Sequence, residues 1–173
     1  MSKQHPRTES EHSKKAGTAA SACALPPAFV TWFSDRGWSP RAHQLALLDL
    51  AFTHRSALLI APTGAGKTLA GFLPSLVALS EAPKRKAGLH TLYISPLKAL
   101  ETPIAEMGLD IRVETRTGDT PQNRRLRQRR DPPDILMTTP EQLALLLSYS
   151  DASGFFGSLE CVVLDELHAL ANS

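Results

Sequence analysis

The apolar run Ala57-Leu58-Leu59-Ile60 passes directly into Ala61-Pro62-Thr63-Gly64-Ala65-Gly66-Lys67-Thr68, and a helix-compatible stretch follows. Strand, glycine loop and helix in that order form the context in which a backbone can wrap a phosphate chain. The N–H groups of such a loop turn inward toward the phosphates, and Gly64 and Gly66 permit this because they carry no Cβ. Lys67 then reaches the β- and γ-phosphates, and the Thr68 hydroxyl faces Mg²⁺. Thr63, Gly64, Ala65, Gly66, Lys67 and Thr68 are therefore the candidate residues for holding a nucleoside triphosphate. The pattern opens on Ala61 where glycine is usual, but the Gly-Lys-Thr end and the strand placement outweigh that departure. The alternative is an ordinary glycine turn between a strand and a helix.

A second signal for phosphate chemistry lies far downstream, where Cys161-Val162-Val163-Leu164 leads into Asp165-Glu166-Leu167-His168. A buried strand ending in two carboxylates supplies what the glycine loop lacks. Asp165 is placed to hold Mg²⁺ through its water shell, because Mg²⁺ takes one or two carboxylates plus phosphate oxygens. Glu166 can orient the attacking water or accept its proton. Standing alone, the tetrapeptide would read as a solvated acidic strand end; the upstream loop changes that reading.

The 173 residues suffice for one domain with a core. A net charge of +2 from 19 basic and 17 acidic residues suggests an anionic partner only mildly. Cys23 lies in a polar stretch and Cys161 among aliphatic residues, so no disulfide framework is indicated and a reducing compartment fits. No run approaches the roughly 18 apolar residues of a membrane span, and residues 16–25 are too polar for a signal-peptide core. The expectation is a soluble, cytoplasmic protein with no membrane partner.

Residues 1–24 hold almost no large apolar side chains and are expected to form a disordered tail ahead of a domain over 25–173. Phe29, Trp32 and Phe33 recur at helical spacing up to Gly37, and Ser39-Pro40 opens a second helix running to about Phe52. After the loop, strands are expected at 91–95, 111–114, 135–138 and 161–164. Helices are expected at about 67–80, 97–107, 120–130 and 140–148. Alternation of this kind implies an α/β class, a parallel sheet covered on both faces by crossover helices.

Asp-Glu-x-His together with the glycine loop resembles the superfamily 2 DExH-box helicases. The segments Tyr93-Ile94-Ser95-Pro96-Leu97-Lys98-Ala99-Leu100, Arg116-Thr117-Gly118-Asp119-Thr120-Pro121 and Met137-Thr138-Thr139-Pro140-Glu141-Gln142-Leu143 look like the Lhr-type family, and most like its ligase-associated branch. The resemblance covers residues from about 25 to the end. It implies the first RecA-like domain of an ATP-dependent helicase or translocase, with ATP and Mg²⁺ as cofactors and a role in DNA repair. Lys67, Asp165, Glu166 and His168 would be the catalytic residues, and Thr68 and Asp165 would hold the metal. Gln44, in Pro40-Arg41-Ala42-His43-Gln44, would meet the adenine edge. Ser95, Pro96, Lys98, Thr117, Gly118, Thr138 and Thr139 would grip a nucleic-acid strand by its phosphates, a mode that suits hydroxyls, backbone N–H groups and a lysine near a helix start. The strand would be single-stranded DNA, with RNA left open, and a DNA ligase or a nuclease would be a repair partner. Thr139-Pro140-Glu141 also has the form of a helix cap.

Arg124, Arg125, Arg127, Arg129 and Arg130 crowd one expected helix. They make either a solvated basic face or a salt-sensitive contact with nucleic acid. Compared with the family, Leu100 runs into Glu101 with about two helical turns fewer. Relatives also continue past the equivalent of Ser173 into a coupling strand and a second RecA-like domain. Without these, the segment is expected to fold poorly and to hydrolyse ATP slowly, or to bind nucleotide or nucleic acid without turnover.

Overall fold

The computed structural model describes residues 25–82, 87–95 and 102–166. Two short helices, α1 (Pro27–Asp35) and α2 (Ala42–Phe52), precede the glycine loop, which feeds helix α3 (Lys67–Glu81). Then follow β1 (Thr91–Ile94), α4 (Thr102–Glu106), β2 (Val113–Arg116) and α5 (Gln122–Arg130). The chain continues through β3 (Ile135–Thr138), α6 (Pro140–Leu147), α7 (Ala152–Phe155) and β4 (Cys161–Leu164). The strands form one sheet in the order β2-β3-β1-β4, and every pairing is parallel.

Central strands β1 and β3 are buried along their whole length, as parallel strands with helices on both faces must be. Alternate side chains enter opposite layers. Tyr93, Ile135 and Met137 pack with Phe29, Leu48, Phe72, Leu73, Leu76 and Val77 from α1, α2 and α3. Leu92, Ile94 and Leu136 pack on the other face with Leu146 of α6 and Phe155 of α7. The fold is thus a three-layer α/β sandwich, as the alternating pattern predicts. Among the described residues no helix is long and apolar enough to cross a membrane.

The structure corrects several expected elements. Among the described residues the segment 57–60 forms no ladder, and Leu58 and Ile60 are 70% and 87% exposed. Apolar side chains favour a strand only where a neighbouring strand takes up the backbone groups. Among the described residues β4 pairs only with β1, and Val162 and Leu164 are exposed.

The second strand starts at Val113, two residues later than the apolar pattern suggests. Asp134 Oδ2 accepts from the Arg112 N–H at 2.7 Å, so that residue is tied to a side chain ahead of the ladder. The second helix begins at Ala42, with the Gln44 side chain accepting from the Arg41 N–H at 2.8 Å. Of the helix expected at 97–107, residues 102–107 fall in the described residues and the helix there runs Thr102–Glu106, and α7 was not anticipated. The tail 1–24 and the Leu100–Glu101 junction lie outside the described residues.

The arginine helix turns out to be tied inward. Arg127 donates to both carboxylate oxygens of Glu114 at 2.8 Å, Arg124 Nε lies 3.5 Å from the same group, and Gln128 adds a third donor at 3.0 Å. Arg129 pairs with Asp151 at 2.6 Å and lies over the Tyr149 ring at 3.9 Å. Arg125 donates to the Thr117 and Gly118 carbonyls. Arg124 and Arg127 therefore tie the helix to β2, Arg125 ties it to the loop that follows β2, and Arg129 ties it to Asp151 ahead of α7.

Glu114 is 5% exposed. Burial alone would raise its carboxyl, but the hydrogen bonds from Gln128 and Arg127 and the charge of Arg127 outweigh burial and hold it below its ordinary value of 4.5. A carboxylate depressed on folding contributes stability above its unfolded pKa and loses it as pH falls through the folded value. Glu114→Gln is expected to destabilise the domain at neutral pH by about 1–3 kcal/mol. Its melting temperature should also fall less steeply than the wild type's between about pH 5 and 3. Thermal melts across that range check both, and parallel acid limbs would exclude Glu114 as their source.

Candidate nucleotide-binding site

The glycine loop turns between residue 61 and the start of α3 through two left-handed residues, Gly64 at φ 78° and Gly66 at φ 73°. An L side chain is strained at both positions. Gly66 is also crowded: a Cβ there would stand 3.0 Å from the Gln44 amide nitrogen. That nitrogen donates to the Gly66 carbonyl at 3.4 Å, and the Arg41 guanidinium donates to the Gly64 carbonyl at 3.1 Å. Gln44 is buried and spends its amide oxygen on the Arg41 N–H. The N-terminus of α2 thus braces the loop from the side. Lys67 Nζ spans the loop and donates to the carbonyls of Ala61 at 2.9 Å and Pro62 at 3.2 Å. It stands within the loop, where a phosphate oxygen could replace either carbonyl.

Asp165 follows the last residue of β4. Its N–H donates to the Ile94 carbonyl at 2.9 Å, extending the β1–β4 ladder by one bond. Its Oδ1 accepts from the Glu166 N–H at 2.9 Å, and its Oδ2 accepts from the Tyr93 phenol at 2.6 Å. Glu166 sits at φ 53°, a left-handed conformation uncommon for a residue with a Cβ. The Thr68 hydroxyl lies beside the same phenol. Burial, then the bond to Asp165 and the nearby charges of Asp165 and Glu166, push the Tyr93 phenol upward from its ordinary value of 10.0, so it stays a donor.

Thr68 and Asp165, remote in sequence, therefore meet at one side chain. Their donors are all oxygen, the set that suits Mg²⁺. Among the described residues no group of three or more His, Cys, Asp or Glu could hold a metal by itself. A cation here would draw its other ligands from phosphate and water, which is how Mg²⁺ is commonly held.

The remaining candidates line the same edge of the sheet. Because all strands run parallel, their carboxyl ends stand in the order β2, β3, β1, β4. Thr117 and Gly118, then Thr138 and Thr139, then Ser95, then Asp165 and Glu166 follow that order. Crevices beyond the carboxyl ends of strands are where open α/β sheets bind ligands. Not every candidate keeps a free hydroxyl. The buried Thr138 donates to the Arg116 carbonyl at 3.0 Å, and Thr139 caps α6 by accepting from the Gln142 N–H at 3.5 Å. The Thr117 N–H donates to the Thr120 hydroxyl at 2.8 Å. Pro96, Lys98 and His168 lie outside the described residues.

Sequence reasoning passed over Tyr93 and Arg41 as site residues. The available signal was a phenol in an otherwise aliphatic buried strand, since a buried Tyr hydroxyl requires a partner.

A parallel sheet with a glycine loop opening helix α3 and an Asp-Glu pair at the end of β4 defines a P-loop nucleotide-binding domain of the RecA-like class. Residues 41–173 match the model of the family described as DEAD/DEAH box helicase. The chain belongs to that family.

It is 41% identical over 85% of its length to the Lhr helicase/uracil glycosylase of Escherichia coli (strain K12), of which it spans 11%. It is 37% identical over 68% of its length to the ATP-dependent helicase Lhr-Core of Methanocaldococcus jannaschii, spanning 16% of that protein. Among solved structures, the Mycobacterium smegmatis helicase Lhr bound to ssDNA and AMP-PNP matches with a TM-score of 0.68 at 36% identity. That match covers 85% of this chain and 21% of the other. The DUF1998 helicase MrfA matches with a TM-score of 0.71 at 29% identity, over 84% of this chain and 24% of that one.

Gly66→Ala should cost about 1–2 kcal/mol from the left-handed strain alone. The expected loss in melting temperature is about 3–8 °C, readable by differential scanning fluorimetry. An unchanged melt would mean that the loop relaxes to another conformation.

Proposed function

We propose that this chain is the ATP-binding part of a DNA-dependent helicase or translocase. The observation that carries this reading is the meeting of Thr68 from the glycine loop and Asp165 from the end of β4 at the Tyr93 hydroxyl. The relative solved with ssDNA and AMP-PNP supports the choice of ligands.

In this reading the N–H groups of Thr63, Gly64 and Gly66 turn to the phosphates, that of Ala65 leaves the Pro62 carbonyl to which it donates at 3.2 Å, and Lys67 exchanges its carbonyl partners for β- and γ-phosphate oxygens. Thr68 and Asp165 hold Mg²⁺, which when bound offsets the phosphate charge. Glu166 orients a water for in-line attack and takes its proton. His168 is assigned to the same site by the resemblance. Gln44 stands beside the loop, donating to the Gly66 carbonyl, and is assigned to the adenine edge by the resemblance.

One strand of DNA would run along the row formed by Ser95, Thr117, Gly118 and Thr139, gripped by its phosphates and not read by sequence. Arg125 holds the Thr117 and Gly118 carbonyls and so would keep that part of the row in shape. A cytoplasmic role in DNA repair, alongside a ligase or nuclease, is the setting the motifs favour. A second RecA-like domain would supply the other wall of the ATP cleft.

A second reading, nucleotide or nucleic-acid binding without hydrolysis by this segment acting alone, is favoured by the unpaired stretch 57–60. A loop whose leading strand lacks a ladder has less to hold its phosphate-binding N–H groups in place.

The test is steady-state ATP turnover by the full-length protein with and without single-stranded DNA. DNA should stimulate turnover, and Lys67→Ala should lower it by about 10²-fold or more. Single-strand affinity should fall as salt rises, because phosphate contacts release counterions. Turnover indifferent to Lys67→Ala would sink the motor reading, whereas brisk turnover by the 173-residue segment alone would sink the second.

A further inference from the structure

The Tyr93 side chain is held from three sides. Its ring stacks on Phe72 of α3 with centroids 4.1 Å apart and planes 14° from parallel. Gly71, one residue before Phe72, lets α3 come close to the sheet: a Cβ there would stand 3.0 Å from Val163 Cγ1 and 3.7 Å from Tyr93 Cε2. On the sheet side, Tyr93 pairs in register with Val163 of β4 and Met137 of β3. These contacts leave the ring no room to swing, so the hydroxyl is delivered to one place.

That place is between the two motifs. Tyr93 Oη donates to Asp165 Oδ2 at 2.6 Å, and the Thr68 hydroxyl lies beside the phenol. The other oxygen of Asp165 is taken by the Glu166 N–H at 2.9 Å. With one bond to each oxygen, the carboxylate cannot rotate, yet each oxygen keeps acceptor capacity for a further partner.

We infer that Tyr93 is a positioning residue for the divalent cation: its hydroxyl orients the Asp165 carboxylate so that it presents an oxygen to an ion held beside Thr68. The inference rests on the nucleotide-binding reading above and deepens it, since neither sequence motif contains this residue. Partners of metal ligands act by fixing the ligand's orientation, and losing one lowers metal affinity by about 10–100-fold. Tyr93→Phe removes only the hydroxyl and keeps the ring that stacks on Phe72.

The experiment uses the full-length protein, with Mn²⁺ as the probe and AMP-PNP as the nucleotide, and reads bound Mn²⁺ by electron paramagnetic resonance. A fluorescent AMP-PNP derivative in EDTA measures nucleotide binding without metal. Tyr93→Phe should weaken Mn²⁺ binding about 10-fold or more while metal-free nucleotide affinity stays within about two-fold. In an Asp165→Asn background the same substitution should have little further effect, because the group it orients is gone. Unchanged Mn²⁺ affinity in Tyr93→Phe, or an equal loss in the Asp165→Asn background, would overturn the inference and leave the nucleotide site standing. If the wild-type protein binds no AMP-PNP, the nucleotide reading itself falls and takes this inference with it.

Discussion

Parallel pairing of β1 with β3 on one side and β4 on the other is the constraint from which the site follows. Tyr93 is aligned with Val163 and Met137, and Ile94 with Leu164 and Thr138. A slip of one residue would move every side chain of β1 to the opposite face. Tyr93 would then leave Phe72 and enter the layer of Leu146 and Phe155, and Asp165 would lose its phenol partner. Burial on both faces makes that slip costly, because the two layers differ in shape and in the residues they present.

Around that frame the phosphate loop is held from the side and from within. Gln44 and Arg41 of the α2 N-terminus bind the Gly66 and Gly64 carbonyls, and Lys67 spans the loop to Ala61 and Pro62. The preceding segment 57–60 contributes no ladder. Loop shape here therefore depends on α2 packing against α3 more than on a strand beneath it. Backbone N–H groups at the start of α3 remain the natural anion-binding end of a helix.

Boundaries were legible where one local rule dominated. Thr139-Pro140-Glu141 places a cap, a first-turn proline and an acidic residue in order, and α6 begins there. The glycine loop and the Asp-Glu strand end were readable for a similar reason, since their chemistry demands particular residues in consecutive positions. Val113–Arg116 was misplaced because its extent depends on Asp134 and Thr138, residues of another segment. The arginines of α5 read from the sequence as either a solvated basic face or a contact with nucleic acid. Their attachment to Glu114 and Asp151 could not be seen without knowing which elements lie alongside.

By itself the sequence determined the α/β class, the phosphate loop, the acidic strand end and the family to which the chain belongs. Each is encoded by residues close together, where periodicity, backbone freedom and side-chain chemistry act over a few positions. Tertiary structure decided the order of the strands, the absence of a ladder at 57–60, and the inward use of the arginine helix. It also decided that a tyrosine of β1 binds Asp165 beside Thr68. Those outcomes depend on which distant backbones share hydrogen bonds and which buried polar groups must find partners, and neither is a property of any short stretch of chain.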